Sequence, residues 1–220
     1  MKAMANFAGA LGALALANAA QAQPARQADD AWHAGDWMVR FRMIDVDPQT
    51  MSSSISTIGG HVAATSTFAP ELDLSYFFTP HFAVEGIAAS TKHTISAQDT
   101  AAGNVRVGNT WVLPPAVTAQ WHFLPNSPVN PYVGAGVNYT FFYATNPQGT
   151  PVTHLALSNN FGEVVQAGVD MEIAPRWYVN ADIKQIFLNT TAKLTALGLP
   201  IKAKTAIDPT VFGLGIGYKF

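Results

Sequence analysis

The stretch AGVDMEIAPRWYVNADIK, residues 167–184, decides how the chain is to be read. Before the connection Ala174-Pro175-Arg176, the apolar residues Val169, Met171 and Ile173 alternate with Asp170 and Glu172. After it, Trp177, Val179, Ala181 and Ile183 alternate with Asn180, Asp182 and Lys184. A period of two is strand patterning, because successive side chains of an extended backbone point to opposite faces. So short a connection joins neighbouring antiparallel strands. The pair has one apolar and one ionic face, and Trp177 stands beside the turn.

The same alternation runs outward in both directions and gives eight strands in all. Towards the N-terminus, Trp37, Val39, Phe41 and Met43 oppose Asp36, Met38, Arg40 and Arg42. Phe68, Leu72, Leu74, Tyr76 and Phe78 oppose Glu71, Asp73 and Ser75, and Phe82, Val84 and Ala88 face away from Glu85. Leu113, Val117, Ala119, Trp121 and Phe123 oppose Thr118, Gln120 and His122, and Val133, Ala135, Val137, Tyr139 and Phe141 form a further apolar face. At the C-terminus, Phe212, Leu214, Ile216, Tyr218 and Phe220 oppose Gly213, Gly215, Gly217 and Lys219.

A soluble sandwich also alternates, but three features favour an all-β, eight-stranded antiparallel transmembrane barrel. Connections alternate between short (Thr79-Pro80-His81, Ala174-Pro175-Arg176, 124–130) and long (47–65, 95–110, 144–159, 191–206). Short periplasmic turns and longer outer loops have that rhythm. Strands reach about ten residues, the length of a tilted membrane crossing. Aromatic residues gather at strand ends: Trp37, Phe78, Phe82, Trp121, Phe123, Tyr132, Trp177, Tyr218 and Phe220 on the short-turn side, and Trp111, Tyr143, Phe161 and Phe187 on the other. These suit two interfacial girdles. The terminal pair Tyr218 and Phe220 reads as an outer-membrane assembly signal for the barrel assembly machinery.

Composition agrees. Charged residues make up 12% of the 220 and hydrophobic residues 49%, against about a quarter charged in soluble domains. The net charge of −2 gives no basic excess for nucleic acid. There is no cysteine, so disulfides and thiolate metal sites are excluded. Lys2, the apolar run Ala3 to Ala17 and the triplet Ala20-Gln21-Ala22 read as an export signal over 1–22. Residues 23–35 are then a periplasmic N-terminal segment and 36–220 the barrel, placed in a bacterial outer membrane among its lipid and lipopolysaccharide.

Five segments and an early "HAGDWMVRFR" (33–42) resemble the outer-membrane protein W (OmpW) family. They are "ELDLSYFFTPHFAVEGIAAS" (71–90), "LPPAVTAQWHF" (113–123), "NPYVGAGVNYTFF" (130–142), "AGVDMEIAPRWYVNADIK" (167–184) and "IDPTVFGLGIGYKF" (207–220). The Leu-Pro-Pro strand is the most specific of these. The resemblance, which extends to alkane-uptake proteins, implies an eight-stranded barrel that helps small hydrophobic molecules cross the outer membrane.

Inward residues sort by depth. Arg40, Arg42, Asp73, Glu85, Asp170, Asp182 and Lys219 make a charged lower lumen. Ile44, Val112, Pro114, Phe142, Val164, Ile186, Leu188 and Ile207 make an apolar upper lumen. Enclosed charges of both signs must pair, so the lower half is expected to be a plug and the upper half a pocket for small apolar solutes. An apolar solute crosses a charged floor at high cost, which favours exit through the wall near a proline-weakened strand. Pro70, Pro114, Pro115 and Pro209 are the candidates, each removing a ladder donor. Their other reading is as bulges. No catalytic residues, cofactor or metal site are expected. The alternatives are a structural or surface-interaction barrel that meets phage, bacteriocin or host, and a lipid-modifying hydrolase using His154 and Ser158 of one loop.

Overall fold

A computed structural model describes residues 31–49, 52–55, 59–101, 103–149, 152–196 and 198–220. The export signal expected over 1–22, and the segment 23–30, lie outside the described residues. The strands are β1 (Trp37–Asp47), β2 (Ser52–Ile55), β3 (His61–Ala64), β4 (Thr67–Phe77), β5 (Phe82–Ala89), β6 (Thr91–Thr100) and β7 (Gly103–Leu113). They continue with β8 (Ala116–His122), β9 (Val129–Pro147), β10 (Val152–Leu157), β11 (Asn160–Ala174), β12 (Trp177–Ala196), β13 (Leu199–Ala206) and β14 (Thr210–Lys219).

Eight of them close on themselves through antiparallel ladders in the order β1, β4, β5, β8, β9, β11, β12, β14 and back to β1. Closure pairs Met38 with Lys219 and Asp47 with Thr210, so the circuit has no free edge. Lipid requires that, since it offers unpaired backbone groups no partner. The period-two pattern sorts side chains as read. Val117 and Leu214 are 54% and 63% exposed on the outside, while Arg40 and Arg42 are fully buried within.

Close packing inside depends on glycine where strands approach a long inward side chain. Gly215 faces Arg42 across the closing seam, and a Cβ there would overlap Phe41 O and the Arg42 backbone. Gly168 is opposite Tyr132 in register, and a Cβ there would overlap the phenol ring. Tyr132 therefore corrects the outer-girdle expectation. It shares the inward phase of Gly134 and Gly136, is buried, and donates its hydroxyl to Asp182 Oδ2 at 3.0 Å. The other girdle residues are largely outward, with Trp111, Tyr143, Phe161 and Phe187 on the upper side.

The long connections are not irregular loops. Each carries strand that prolongs the barrel outward: β3, β6, β7 and upper β9 in one sheet, β2, β13, upper β12 and β10 in another. The reason is visible in their composition. Ile95, Ala97, Val107, Leu155, Ala192, Ile201 and Ala203 turn inward and form a second apolar cluster.

The opposite mouth is closed by a residue outside any strand. Trp32 is buried, stacks on Phe77 at 4.4 Å and lies 5.0 Å from Tyr178. Its backbone N–H donates to Pro125 O at 3.1 Å, and Lys219 Nζ stands 5.4 Å from its ring. Trp32 thus sits inside the barrel mouth, a placement the alternation did not anticipate.

Candidate binding pocket above a charged floor

The inward phase of each strand runs from charge to hydrocarbon, and the lumen takes its layers from that gradient. On β1, Arg40 and Arg42 are followed by Ile44 and Val46; on β4, Asp73 and Glu71 by Ala69; on β12, Asp182 and Lys184 by Ile186 and Leu188.

In the lower layer the two arginines bind opposed carboxylates. Arg40 grips Asp170 with Nη2 to Oδ2 at 2.6 Å and Nε to Oδ1 at 3.0 Å, and its Nη1 reaches Glu85 at 3.2 Å and Ser75 Oγ at 2.7 Å. Arg42 donates from Nε to Asp73 at 2.7 Å and from Nη2 to Glu85 at 2.8 Å, with Asp182 at 3.3 Å and Glu71 at 3.2 Å. Lys184, which the sequence reading did not single out, joins Glu71 at 2.8 Å and Asp182 at 2.6 Å. Gln120 and Gln166 donate to the second oxygen of Glu85 at 2.8 and 3.1 Å. Arg40, Arg42 and Lys184 thus meet Glu71, Asp73, Glu85, Asp170 and Asp182: three cations against five carboxylates, a formal charge of −2. Lys219 sits lower, at the mouth, 3.6 Å from Asp36 and against Trp32. Geometry thus brings together Arg40, Arg42, Asp73, Glu85, Asp170 and Asp182, and places Lys219 apart from them.

Above this floor is a cavity of about 100 Å³. The eight residues read as upper lumen, Ile44, Val112, Pro114, Phe142, Val164, Ile186, Leu188 and Ile207, all line it. The sequence reading had omitted Val46, Ile87, Ala89, Ala116 and Val211, which follow the same inward phase. Counting on along each strand past the first apolar residue would have found them. Among the lining residues only Glu71, Lys184 and His93 can carry charge, and the first two are paired at the base. His93 lies on the β6 extension beyond the outer girdle. Burial lowers its pKa against the effect of its bond to Thr65 O, which keeps the ring neutral near pH 7. Polar groups around the wall are hydroxyls, including Thr91, Thr110, Thr140, Thr190 and Thr205.

Beside this cavity the wall is thinly bonded. The β5–β8 ladder stops at Ile87↔Ala116 and the β6–β7 ladder begins at Thr91↔Val112, leaving Ala88 to Ser90 opposite Leu113 to Pro115 without ladder pairs. On the other flank, β4–β5 stops at Glu71↔Ala89 and β3–β6 begins only at Ala64↔Ile95. Ser90 is in no ladder pair on either side; its hydroxyl lies 2.7 Å from Tyr143 Oη. The prolines act on different seams. Tyr139 N–H donates to Pro115 O, so the backbone edge of Pro115 faces β9. Backbone groups alternate sides along a strand, so Pro114 is the residue whose missing N–H weakens the seam towards Ala89.

His154 is exposed on β10, away from this cavity, and no cluster among the described residues could hold a metal ion.

Comparison with known proteins agrees with the fold. The OmpW family model matches residues 33–220. Outer membrane protein W of Vibrio cholerae is 32% identical, over 86% of this chain and 91% of its own. The dibenzothiophene metabolism operon protein PahQ of Pseudomonas aeruginosa is 26% identical, over 74% of this chain and 76% of its own. The crystal structure of the outer membrane protein OprG from Pseudomonas aeruginosa superposes with a TM-score of 0.79 at 26% identity, covering 87% of this chain and 98% of that one. A closed eight-stranded circuit with apolar sides outward, together with these matches, places the protein in the outer membrane as a member of the OmpW family.

Proposed function

We propose that the barrel admits small uncharged apolar molecules from outside and releases them sideways into the outer membrane through the wall around Ser90. One observation carries this reading: the apolar cavity ends below on an ion-paired, net-negative floor, and adjoins the wall where ladder bonds are missing. The cavity is of the same order as the roughly 150 Å³ engineered void that accepts benzene, which sets the scale of solute. An apolar solute moving down the axis would have to displace ion pairs and gain nothing in return. The name of the PahQ relative links a protein of this kind to metabolism of an aromatic heterocycle, and that supports the solute class. A barrel serving only as a surface contact has no use for an open apolar chamber over a charged base.

The test is uptake of naphthalene by cells that depend on the protein. Val112→Asp makes the chamber polar and is expected to lower uptake. Pro114→Val restores a donor towards Ala89 and is expected to lower uptake while leaving the chamber apolar. If uptake survives both changes but rises when Asp73 or Glu85 is neutralised, passage is axial and the proposal is wrong.

A further inference from the structure

The chamber is not lined by hydrocarbon alone. Threonine hydroxyls stand on its wall, and the direction in which each sends its proton decides what a solute can bond to. Thr91 and His93 are successive inward residues of β6, both buried. His93 Nδ1 lies 2.7 Å from Thr65 O, and a carbonyl can only accept, so Nδ1 carries the ring proton. In the neutral ring Nε2 is then a bare acceptor. Thr91 Oγ1 lies 2.9 Å from Nε2 and donates to it. A hydroxyl has one proton and two lone pairs, so Thr91 presents the cavity with an acceptor only.

Other polar groups of the wall have the same polarity. Thr190 Oγ1 donates to Ser158 O at 2.8 Å. Thr110 has one proton and three oxygens within reach of it: Thr145 Oγ1 at 2.9 Å, Trp111 O at 3.2 Å and Tyr143 O at 3.4 Å. Thr205 Oγ1 turns to Ala206 O at 3.5 Å. At the base, Lys184 is directed to Glu71 and Asp182. Thr140 is the exception, because it accepts from Asn138 Nδ2 at 2.7 Å. It lies below the row formed by Thr91, Val112 and Phe142, and Asn138 Oδ1 beside it is a buried acceptor with no partner. Thr91 also has the position that matters for release. It opens the β6–β7 ladder opposite Val112, directly after Ser90. Its free lone pairs therefore lie at the inner lip of the wall gap.

We propose that the chamber selects neutral hydrocarbons that bear one hydroxyl, phenols and compact alcohols, and that Thr91 Oγ1 is the acceptor that holds this hydroxyl at the exit. The inference rests on the proposed entry and lateral release, and gives that route a polarity. A solute that can donate a hydrogen bond is held, whereas an acceptor-only analogue such as an ether brings its lone pairs against those of the wall and is left unsatisfied.

The experiment uses the full barrel in phosphatidylcholine nanodiscs, titrated calorimetrically with naphthalene, naphthol and methoxynaphthalene. Protein-free discs supply the correction for partition into lipid. After that correction, wild type is expected to bind naphthol about fivefold more tightly than methoxynaphthalene, the worth of one hydrogen bond to a buried acceptor. Thr91→Val removes the acceptor at nearly constant shape and is expected to bring the two affinities within about twofold of each other. Thr91→Ser keeps the hydroxyl and is expected to keep the preference. The inference alone is overturned if wild type binds naphthalene but binds naphthol no better than the ether. It is overturned as well if Thr91→Val retains the full preference. If wild type binds none of the three, the apolar chamber itself is refuted as a solute site and the inference falls with it. The wild-type comparison needs no variant, so a folding defect in Thr91→Val leaves the test intact.

Discussion

Replacing Arg42 by Met tests whether the lower lumen is a dry plug. Arg42 is fully buried and contacts Asp73, Glu71, Glu85 and Asp182. Without it, Asp73 loses its ion-pair partner, Glu85 retains Arg40, and Glu71 and Asp182 share Lys184. The formal charge of the cluster moves from −2 to −3, with two cations facing five carboxylates. Breaking a buried pair by removing one partner costs about 3–5 kcal/mol, chiefly because the remaining charge stays desolvated. That corresponds to roughly two to almost four decades in the unfolding equilibrium. Urea unfolding in lipid vesicles, followed by tryptophan fluorescence and heat-modifiable mobility, measures it. Adding Asp73→Asn to Arg42→Met should recover most of the loss, because the orphaned carboxylate is then gone. A single variant within about 1 kcal/mol of wild type refutes the reasoning: the exposed-pair range would mean that water reaches these groups and the floor is a channel.

The lipid-facing assignment predicts a depth profile. Leu214→Arg, near the middle of the outward face, should cost about 2–4 kcal/mol, whereas Ile173→Arg beside the short turn should cost no more than about 1 kcal/mol; equal costs would contradict membrane burial. The outward terminal ring of Phe220, set against Tyr218, is expected to guide assembly. Phe220→Lys should reduce the yield of folded barrel in outer membranes far more than Lys204→Gln does, and an unchanged yield would remove that role.

Strand number, inside and outside were legible because a one-residue error in phase moves every side chain to the opposite face. Apolar girdle residues and paired arginines cannot exchange places, so the alternation around residues 167–184 leaves one assignment. Height across the barrel was harder to read. Glu71 and Lys184 are 113 residues apart, and phase alone does not say that one strand's carboxylate meets another strand's ammonium; register does. Tyr132 was misplaced because nearness to a turn was given more weight than its phase. The outer strands escaped notice for a different reason. His61–Ala64 is only four residues long, and in the longer β6 the inward residues Thr91, His93, Ile95 and Ala97 are not uniformly apolar, so the period does not stand out. Trp32 precedes the first periodic segment and has no repeat to betray its burial.

The seat of Trp32 couples the first and last strands of the barrel. Its partner Lys219 is the penultimate residue, Trp37 and Phe220 exchange backbone hydrogen bonds at 3.0 Å, and Asp36 lies 3.6 Å from Lys219. The indole touches Phe77 of β4, Tyr178 of β12 and Lys219 of β14, so its seat is complete only when the first and last strands of the barrel have met. Its burial is therefore expected to follow the pairing of β1 with β14. Indole fluorescence from this one position, with the other tryptophans replaced, is thus an internal clock for the closing of the barrel.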